Sequence, residues 1–414
     1  MKIIVIDCRR VLDSGIGRVT EWFLQNVVPE LSKNYLVKYL VTPNTREDYQ
    51  VPLEDCIVVG YKPLSREELY MMPQLLSDNG CHLFISPQIN VSPFHLCRTV
   101  NMLHDLWYVV HPEFLPEPKD IQQRFDSGSS SYIDHISPWL TEEKASRFLT
   151  KEGMDCWMAS LRTKKPASIY IWSQLCLFSI MSDLIVCVTE DVESSFRRLF
   201  RRDSGITTIE NSLSDSWFTP QSAIAKEKEG FLCMAKLEER KNLPMLLDAY
   251  DSYCHIVHHP QTLTIAGDYG YEECAKSILD RIDEMNHRYG VERIRYIRSA
   301  RTEQVHLLLE KAALLVHPSL YESFGYPPLE AIAAGIPVAS TPTGKMRGGI
   351  GKYVHLFDPN DVERLTSILT EFHERPETYH AKAEDAKRFL RNEIDNAGKV
   401  NRWMTAIDQF MQNS

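Results

Sequence analysis

The chain has 414 residues, a length that suits two or three domains better than one core. Hydrophobic residues make up 43% and charged residues 25% of it, which is a globular composition and excludes wholesale disorder. The net charge of −10 argues against a protein that coats nucleic acid, because neutralising phosphates requires a basic face.

The ten cysteines form no C-x-x-C pair, which excludes a zinc ribbon and a thioredoxin-like motif. Asp7 interrupts the first apolar run, so the sequence shows no signal peptide. The most apolar stretch, 175–189, is too short to span a membrane and carries Asp183. We therefore expect a cytoplasmic protein with free thiols.

The first half of the chain alternates between strand and helix patterns. A loop with two glycines, 14–17, follows the first strand and leads into a helical pattern up to residue 31. Such alternation favours a parallel sheet covered by helices on both faces. The expected strands are 2–7, 35–41, 56–59, 82–86, 99–103, 184–188 and 207–209.

The second half repeats this organisation, so the sequence predicts an α/β protein with two doubly wound, Rossmann-like domains. Its expected strands are 231–236, 262–267, 293–297, 313–318 and 336–340, with helices at 242–253 and 273–288.

We expect the domain boundaries from composition and pattern. The N-terminal domain is placed at 1–222, with a helical and loop insertion at about 113–170 that breaks the alternation. The C-terminal domain is placed at 223–395. Residues 396–414 form an apolar-periodic helix that we expect to pack back on the N-terminal domain.

The segment 317–340 is the most informative part of the sequence. It is expected to form a strand, a loop, a helix at 327–334 and a second strand. This places Glu322 in the loop and Glu330 in the first helical turn, at the edge of the sheet where α/β proteins bind ligands. A phosphate site is expected at the N–H groups of Phe324, Gly325 and Tyr326.

Two interpretations of the glutamate pair remain open on the residues alone. Carboxylates on either side of a phosphate site suit a ligand with sugars on both sides of a diphosphate. Alternatively, Glu330 only complements the helix dipole and Glu322 is a solvated loop residue.

The same segment resembles the E-x7-E region of the retaining glycosyltransferases of family 4, in their mannosyltransferase-like, polysaccharide-assembly group. Those enzymes have the GT-B fold, in which two Rossmann-like domains face each other across a cleft. The resemblance covers most of the chain except about 115–170. It extends through 14–20, 101–113, 188–200, 209–220, 230–250, 264–270, 310–319 and 356–361.

The resemblance implies roles in the second domain. Lys236 and Lys241 would contact the diphosphate of a nucleotide-sugar donor, although the family usually has arginine at the first position, and lysine lacks its planar fork. Other donor-binding residues would be Glu322 at the sugar hydroxyls, Glu330 at the ribose, Arg298 at the nucleobase, and the backbone of Ser323, Phe324, Gly325 and Tyr326 near sugar and phosphate.

The resemblance also implies roles in the first domain. Gly15 and Gly17 would let the first loop approach the donor phosphates closely. His104 and Asp105 match the family's H-D pair, which faces the acceptor or the donor sugar, and His111 is a further acceptor-side candidate.

The implied function is a retaining transfer of a hexose from a nucleoside-diphosphate sugar to a glycan or lipid-linked glycan. Catalysis would rest on Glu322, His104, Lys236 and Lys241, without a metal ion or any other cofactor, in line with the absence of a D-x-D triplet. Two alternatives stay open: a catalytically silent GT-B-shaped binding subunit, and a nucleotide-sugar epimerase, a group that lacks the E-x7-E pattern.

A basic cluster comprises Arg197, Arg198, Arg201 and Arg202. It predicts either an ordinary solvated helix face or a peripheral contact with the inner face of a membrane.

Overall fold

A computed structural model describes most of the chain. None of the helices in the described part is long and apolar enough to cross a membrane. The description leaves out residues 12–13, 46–52, 62, 64–65, 92–93, 95, 112–113, 115–141, 163–165, 220–227, 229, 299–301 and 413–414.

The chain divides into two compact units. The first comprises Met1–Ser212 and Asp395–Ser414, and the second comprises Leu213–Ile394. The first division therefore falls before the expected boundary at 222, and the end of the chain belongs to the first unit.

The first unit is built on a parallel sheet whose described strands number seven, in the order β3-β2-β1-β4-β5-β6-β7. The central strand β1 is almost completely buried because it pairs with β2 on one side and β4 on the other. This two-sided burial explains its unbroken apolar run. The strands are β1 (Ile3–Asp7), β2 (Leu36–Val41), β3 (Cys56–Val58), β4 (Cys81–Ser86), β5 (Arg98–Leu103), β6 (Leu184–Cys187) and β7 (Ile206–Thr208).

Helices connect these strands, as parallel pairing requires. The described part of the expected insertion contains α5, α6 and α7, and its remainder lies outside the described residues. The described helices of the first unit are α1 (Ser14–Asn26), α2 (Val28–Leu31), α3 (Arg66–Asp78), α4 (Trp107–Val110), α5 (Glu142–Phe148), α6 (Lys151–Arg162), α7 (Pro166–Met181) and α8 (Glu190–Leu199).

The second unit holds a parallel sheet with six described strands in the order β10-β9-β8-β11-β12-β13. Its strands are β8 (Phe231–Met234), β9 (Leu263–Ala266), β10 (Ile294–Ile297), β11 (Leu314–His317), β12 (Val338–Ser340) and β13 (His355–Leu356). Its described helices are α9 (Leu243–Ile256), α10 (Glu272–Tyr289), α11 (Thr302–Lys311), α12 (Tyr326–Ala333), α13 (Val362–Glu374) and α14 (Pro376–Glu393).

The last helix, α15 (Asn396–Gln412), completes the first unit. Trp403 packs edge-on against Phe23 of α1 with ring centroids 5.0 Å apart. Lys399 is buried and donates to the carbonyl of Asn211 at 3.0 Å. The Tyr35 hydroxyl donates to Asp408 at 2.8 Å. The C-terminal segment is therefore a structural part of the first unit.

The two doubly wound parallel sheets confirm the predicted α/β architecture. Two details differ from expectation. The segment 14–17 is the first turn of α1, not a loop. Strand β13 was not predicted, because a two-residue strand leaves no periodic signal in the sequence.

Candidate functional site

Two loops meet at the carboxyl edge of the second sheet. One is the segment 235–241 that follows β8, and the other is the loop 318–325 that follows β11. Because β8 and β11 are neighbours and parallel, their carboxyl ends open on the same edge. The Leu320 N–H donates to the Arg240 carbonyl at 2.9 Å, so the two loops are bonded directly to each other.

An ion-pair cluster lies where these loops meet, and we call it the Glu322 cluster. Lys241 Nζ lies 2.5 Å from Glu322 Oε1, and Arg240 Nη1 lies 3.3 Å from Glu322 Oε2. Arg240 Nη2 also contacts Glu238 Oε1 at 2.7 Å. The buried ring of His317 places Nε2 3.3 Å from Glu322 Oε1. The four charged side chains are 10–13% exposed, so the cluster is mostly buried but not closed off from solvent.

The surroundings hold Glu322 ionised and His317 neutral. Burial by itself would raise the pKa of the Glu322 carboxyl, but Lys241 and then Arg240 outweigh it and hold this pKa well below its usual range. Burial lowers the pKa of His317, and the nearby Glu322 only partly opposes that shift. The cluster therefore offers an anionic oxygen pair beside two cations and a neutral imidazole.

Close backbone packing fixes the two loops. A Cβ atom at Gly267 would lie 2.0 Å from the Ala235 carbonyl oxygen, so only glycine allows this approach. On the other side, Gly344 adopts a left-handed φ of 51°, and a Cβ there would lie 2.5 Å from the Phe324 carbonyl oxygen. Gly344 N–H donates to the Glu322 carbonyl at 3.1 Å. The position of Glu322 is thus set by the backbone on both sides of the loop.

Helix α12 begins directly after the 318–325 loop. Gly325 is its N-cap residue with φ of 84°, and no side chain caps the helix. Pro327 and Pro328 carry no N–H, so Gly325 and Tyr326 are the residues whose N–H groups open this helix. Ser323 is half-buried, and the buried Phe324 packs against Tyr326 with ring centroids 4.8 Å apart.

The other predicted donor residues of the second unit are placed differently. Lys236 follows β8 and is exposed, without an ion pair to any described residue. Glu330 is buried and is the fifth residue of α12, outside the first turn, because the helix begins at Tyr326. Arg298 lies 4.0 Å above the Tyr269 ring and 3.1 Å from Asp268. The structure therefore pairs Lys241 with Glu322 and gives Arg298 separate partners.

In the first unit, Gly15 and Gly17 lie within the first turn of α1. A side chain at Gly15 would meet no heavy atom within 4 Å, so the backbone there is open. Asp105 and His111 are half-buried, and the His111 ring packs against Phe114 at 5.5 Å. The first helical turn also exposes N–H groups, so a role of the glycines near donor phosphates stays a prediction.

His104 follows β5 and has a defined tautomer. Burial lowers its pKa to about 4, so the ring is neutral at pH 7. Nε2 lies 2.6 Å from the Pro87 carbonyl oxygen and must carry the hydrogen of that bond. His104 Nδ1 is then a hydrogen-bond acceptor, which suits a sugar hydroxyl better than an anion.

A second buried cluster was missed by the sequence analysis, and we call it the Asp7 cluster. Arg9 Nη2 lies 2.7 Å from Asp7 Oδ2 and is also paired with Glu68. The amide groups of Asn90 and Gln88 each donate to Asp7 Oδ2 at 3.2 Å. The only signal in the sequence was a charged residue at the end of an apolar strand, which by itself does not identify its partners.

The four arginines of the basic cluster are engaged within the first unit. Arg202 donates to several carbonyls around the end of α7, among them Ser182 at 2.6 Å. Arg197 pairs with Glu193, and Arg198 pairs with Glu152. Arg201 donates to the Leu149 carbonyl. These bonds favour a structural role for the cluster over membrane contact.

Part of the chain is similar to a known protein family. Residues 217–389 match the family model described as glycosyl transferases group 1. The match covers most of the second unit, including Lys241, Glu322 and Glu330.

Curated relatives agree with this match. The chain is 32% identical to O-antigen chain mannosyltransferase B of Escherichia coli over 138 residues, which is 33% of this chain and 35% of that protein. It is 26% identical over 213 residues to the gpi3 subunit of phosphatidylinositol N-acetylglucosaminyltransferase of Schizosaccharomyces pombe, 48% of this chain and 45% of that protein. The chain thus spans less than half the length of these relatives.

Solved structures extend the likeness to both units. The Anabaena protein Alr3699/HepE, solved with UDP-glucose, aligns with a TM-score of 0.66 at 16% identity over 99% of this chain and 100% of that one. Sucrose-phosphate synthase of Thermosynechococcus elongatus aligns with a TM-score of 0.64 at 14% identity, over all of both chains. These likenesses confirm the predicted fold class, GT-B.

Proposed function

We propose that the chain, whose residues 217–389 match the model of the group 1 glycosyl transferases, is a glycosyltransferase that uses a nucleotide-sugar donor. It moves a hexose to a glycan or lipid-linked glycan acceptor, with retention of configuration and without a metal ion. The observation that carries this proposal is the pairing of Lys241 with Glu322 beside the open N-terminus of α12.

Similar proteins support the proposed substrate classes. HepE was solved with UDP-glucose, and this supports a nucleoside-diphosphate sugar as donor. The O-antigen mannosyltransferase of E. coli supports a hexose and a polysaccharide-type acceptor.

In this proposal, different residues at the Glu322 cluster bind different parts of the donor. Glu322 is ionised and accepts hydrogen bonds from two sugar hydroxyls. Lys241, now bonded to Glu322, turns to the diphosphate when the donor enters, and the exposed Lys236 adds a second positive charge. The N–H groups of Gly325 and Tyr326 face the same phosphates, because a helix N-terminus favours anions. Glu330 and Arg298 bind the ribose and the base.

The chemical step follows from charge development. Negative charge grows on the departing nucleoside diphosphate as the glycosidic bond breaks, and fixed cations and N–H groups stabilise it. The acceptor hydroxyl attacks from the side of the leaving group and gives its proton to a donor phosphate oxygen. The new bond therefore has the configuration of the old one. His104 Nδ1 accepts a hydrogen bond from a sugar hydroxyl, with Asp105 and His111 on the acceptor side.

The metal-free route is proposed because the Glu322 cluster brings cations to the donor site. Among the described residues, no group of three or more His, Cys, Asp or Glu side chains is arranged to hold a metal ion. The cations of the Glu322 cluster supply the positive charge instead.

The proposal is tested by incubating the protein with a panel of UDP-, GDP- and dTDP-sugars. We expect one of them to raise the melting temperature and to be hydrolysed slowly, with EDTA having no effect. Glu322→Gln should reduce hydrolysis by at least about 100-fold, the usual cost of losing a transition-state contact. The exposed Glu284→Gln is the matched control.

Other outcomes distinguish the alternatives. Donor binding without turnover, even with acceptors, would favour the silent binding subunit. An epimerised donor would favour the isomerase. Retention is read from the anomeric configuration of the product by NMR, and an inverted product would contradict it.

A further inference from the structure

Arg240 joins three parts of the site, although neither the sequence patterns nor the family resemblance assigned it a role. It lies in a short 3-10 turn, Glu239–Lys241, directly before Lys241. Its Nη1 donates to the Tyr321 carbonyl at 2.7 Å and lies 3.3 Å from Glu322 Oε2. Its Nη2 donates to Glu238 at 2.7 Å. The guanidinium thus spans from its own loop to the backbone and side chain of the 318–325 loop.

We propose that Arg240 is the positioning residue that keeps the Glu322 carboxylate aimed at the donor sugar while Lys241 moves to the donor phosphate. This inference rests on the proposed function.

The two oxygens of Glu322 have different partners, and this asymmetry supports the division of roles. Oε1 faces Lys241 at 2.5 Å and His317 at 3.3 Å, whereas Oε2 faces Arg240. A donor diphosphate competes with Glu322 for the Lys241 ammonium, because both are anions within its reach. When Lys241 leaves, Oε1 becomes available for a sugar hydroxyl and Arg240 still holds Oε2.

Arg240 is held in place by bonds that do not involve Glu322. The buried Glu238 carboxylate accepts a hydrogen bond from Arg240 Nη2, and the Tyr321 carbonyl accepts one from Arg240 Nη1. Its own carbonyl accepts from the Leu320 N–H, so the backbone is tied as well. A planar guanidinium can make these bonds at the same time, whereas a lysine ammonium lacks the fork. Arg240 therefore stays fixed when a donor binds.

The first test is the kinetics of Arg240→Lys, which keeps the charge and removes the fork. We expect kcat for donor hydrolysis to fall by about 100-fold, the size of effect that a small misplacement causes. KM should change much less, since Arg240 does not touch the donor. The acid limb of the pH profile should move to higher pH, because Glu322 is protonated more easily. Arg288→Lys is the matched control, since Arg288 forms an exposed ion pair with Asp251.

The second test does not depend on turnover. Carboxyl-labelled glutamate allows the Glu322 resonance to be followed by 13C NMR during a pH titration, and its disappearance in Glu322→Gln assigns it. We expect the pKa of Glu322 to rise in Arg240→Lys and to rise further in Arg240→Gln. Glu238→Gln removes the second carboxylate that shares Arg240, so the pKa of Glu322 should move in the opposite direction and fall. This variant replaces any Arg240 variant that does not fold, and an unchanged Glu322 titration in it would count against the inference.

Two results would overturn the inference: a folded Arg240→Lys protein with an unchanged Glu322 titration, or one whose kcat and pH profile match those of Arg288→Lys. A wild-type protein that binds and hydrolyses no sugar nucleotide would instead contradict the proposed function, and the NMR titration would still decide whether Arg240 controls Glu322.

Discussion

Each sheet carries a cluster of arginine and carboxylate side chains near the carboxyl ends of its strands, and the two clusters differ in access. In the Asp7 cluster, the side chains of Asp7 and Arg9 are 1% and 0% exposed. In the Glu322 cluster, those of Lys241 and Glu322 are 10% and 12% exposed. The second pair is therefore partly exposed to solvent, whereas the first is not.

The clusters also differ in how their charges are balanced. Arg9 serves two carboxylates, Asp7 and Glu68, and neutral amides supply the remaining hydrogen bonds. The Glu322 cluster instead has two cations, Arg240 and Lys241, for two carboxylates, Glu322 and Glu238. Arginine and carboxylate side chains stabilise the fold in the Asp7 cluster, where their bonds are all made within the protein. In the Glu322 cluster, where the cations are partly exposed, the same groups are suited to bind an anionic ligand.

The largest expected effect is on the stability of the first unit. Arg9→Met leaves Asp7 and Glu68 buried without a counter-charge, so the free energy of unfolding should fall by about 3–5 kcal/mol. Urea denaturation measures this loss, and hydrogen exchange of β1 and β4 locates it.

The matched control for that experiment is Arg147→Met, which removes an exposed i,i+4 pair with Glu143. We expect it to change stability by less than about 0.5 kcal/mol. A small effect of Arg9→Met would mean that the Asp7 cluster is not structural, and the contrast between the two clusters would fail.

The next effect is a pH dependence that both units should show. The folded pKa of His104 is about 4, and an unfolded histidine titrates near 6.5. As pH falls below about 6.5, His104 is protonated in the unfolded chain but stays neutral in the folded chain. Unfolding should therefore become easier down to about pH 4, by at most about 3 kcal/mol. His104→Asn should remove this part of the slope.

The matched variant in the second unit is His355→Asn, since burial lowers the pKa of His355 to about 4 as well. The free energy of unfolding should be measured at several pH values between 6.5 and 4. Its dependence on pH should weaken by a similar amount in each variant. Slopes equal to that of the wild type in both variants would show that these histidines are not buried in the neutral form.

An effect of similar or smaller size concerns the packing below Glu322. Gly344→Ala combines left-handed backbone strain with displacement of the Phe324 carbonyl, together about 3 kcal/mol. Gly290→Ala has φ of 69° and nothing within 4 Å, so it should cost only the backbone term, about 1–2 kcal/mol.

Donor affinity separates these two glycine variants more clearly than stability. We expect a titration with the sugar nucleotide to show weaker binding for Gly344→Ala only, because only that change moves the 318–325 loop. Equal affinities in both variants would contradict the role of Gly344 in fixing Glu322.

The sequence predicted the sheets well because their strands are short apolar runs bounded by polar residues. Strand β11 and the start of α12 were located within a residue or two, since Pro327 and Pro328 mark a helix start. The fold class came from the alternation of these patterns along both halves of the chain.

Candidate site residues could be named only where spacing along the chain carries the signal. Lys241 and Glu322 were named because their motifs are local, and the structure pairs them with each other. Arg240 stands in a run of charged residues that resembles a solvated turn, and its burial depends on a loop 81 positions later. Glu68 meets Arg9 across 59 positions. Contacts of this kind arise from tertiary packing, which no local pattern encodes.

The position of α15 has a consequence for how the protein is made. Ribosomes release the chain from its N-terminus, and domains generally fold as they emerge. Here the surface of Phe23 and the carbonyl of Asn211 receive Trp403 and Lys399 only after the whole second unit has been synthesised. The first unit is therefore completed only after the second unit has been synthesised, and a nascent chain must keep the surface around Phe23 from aggregating until α15 leaves the ribosome.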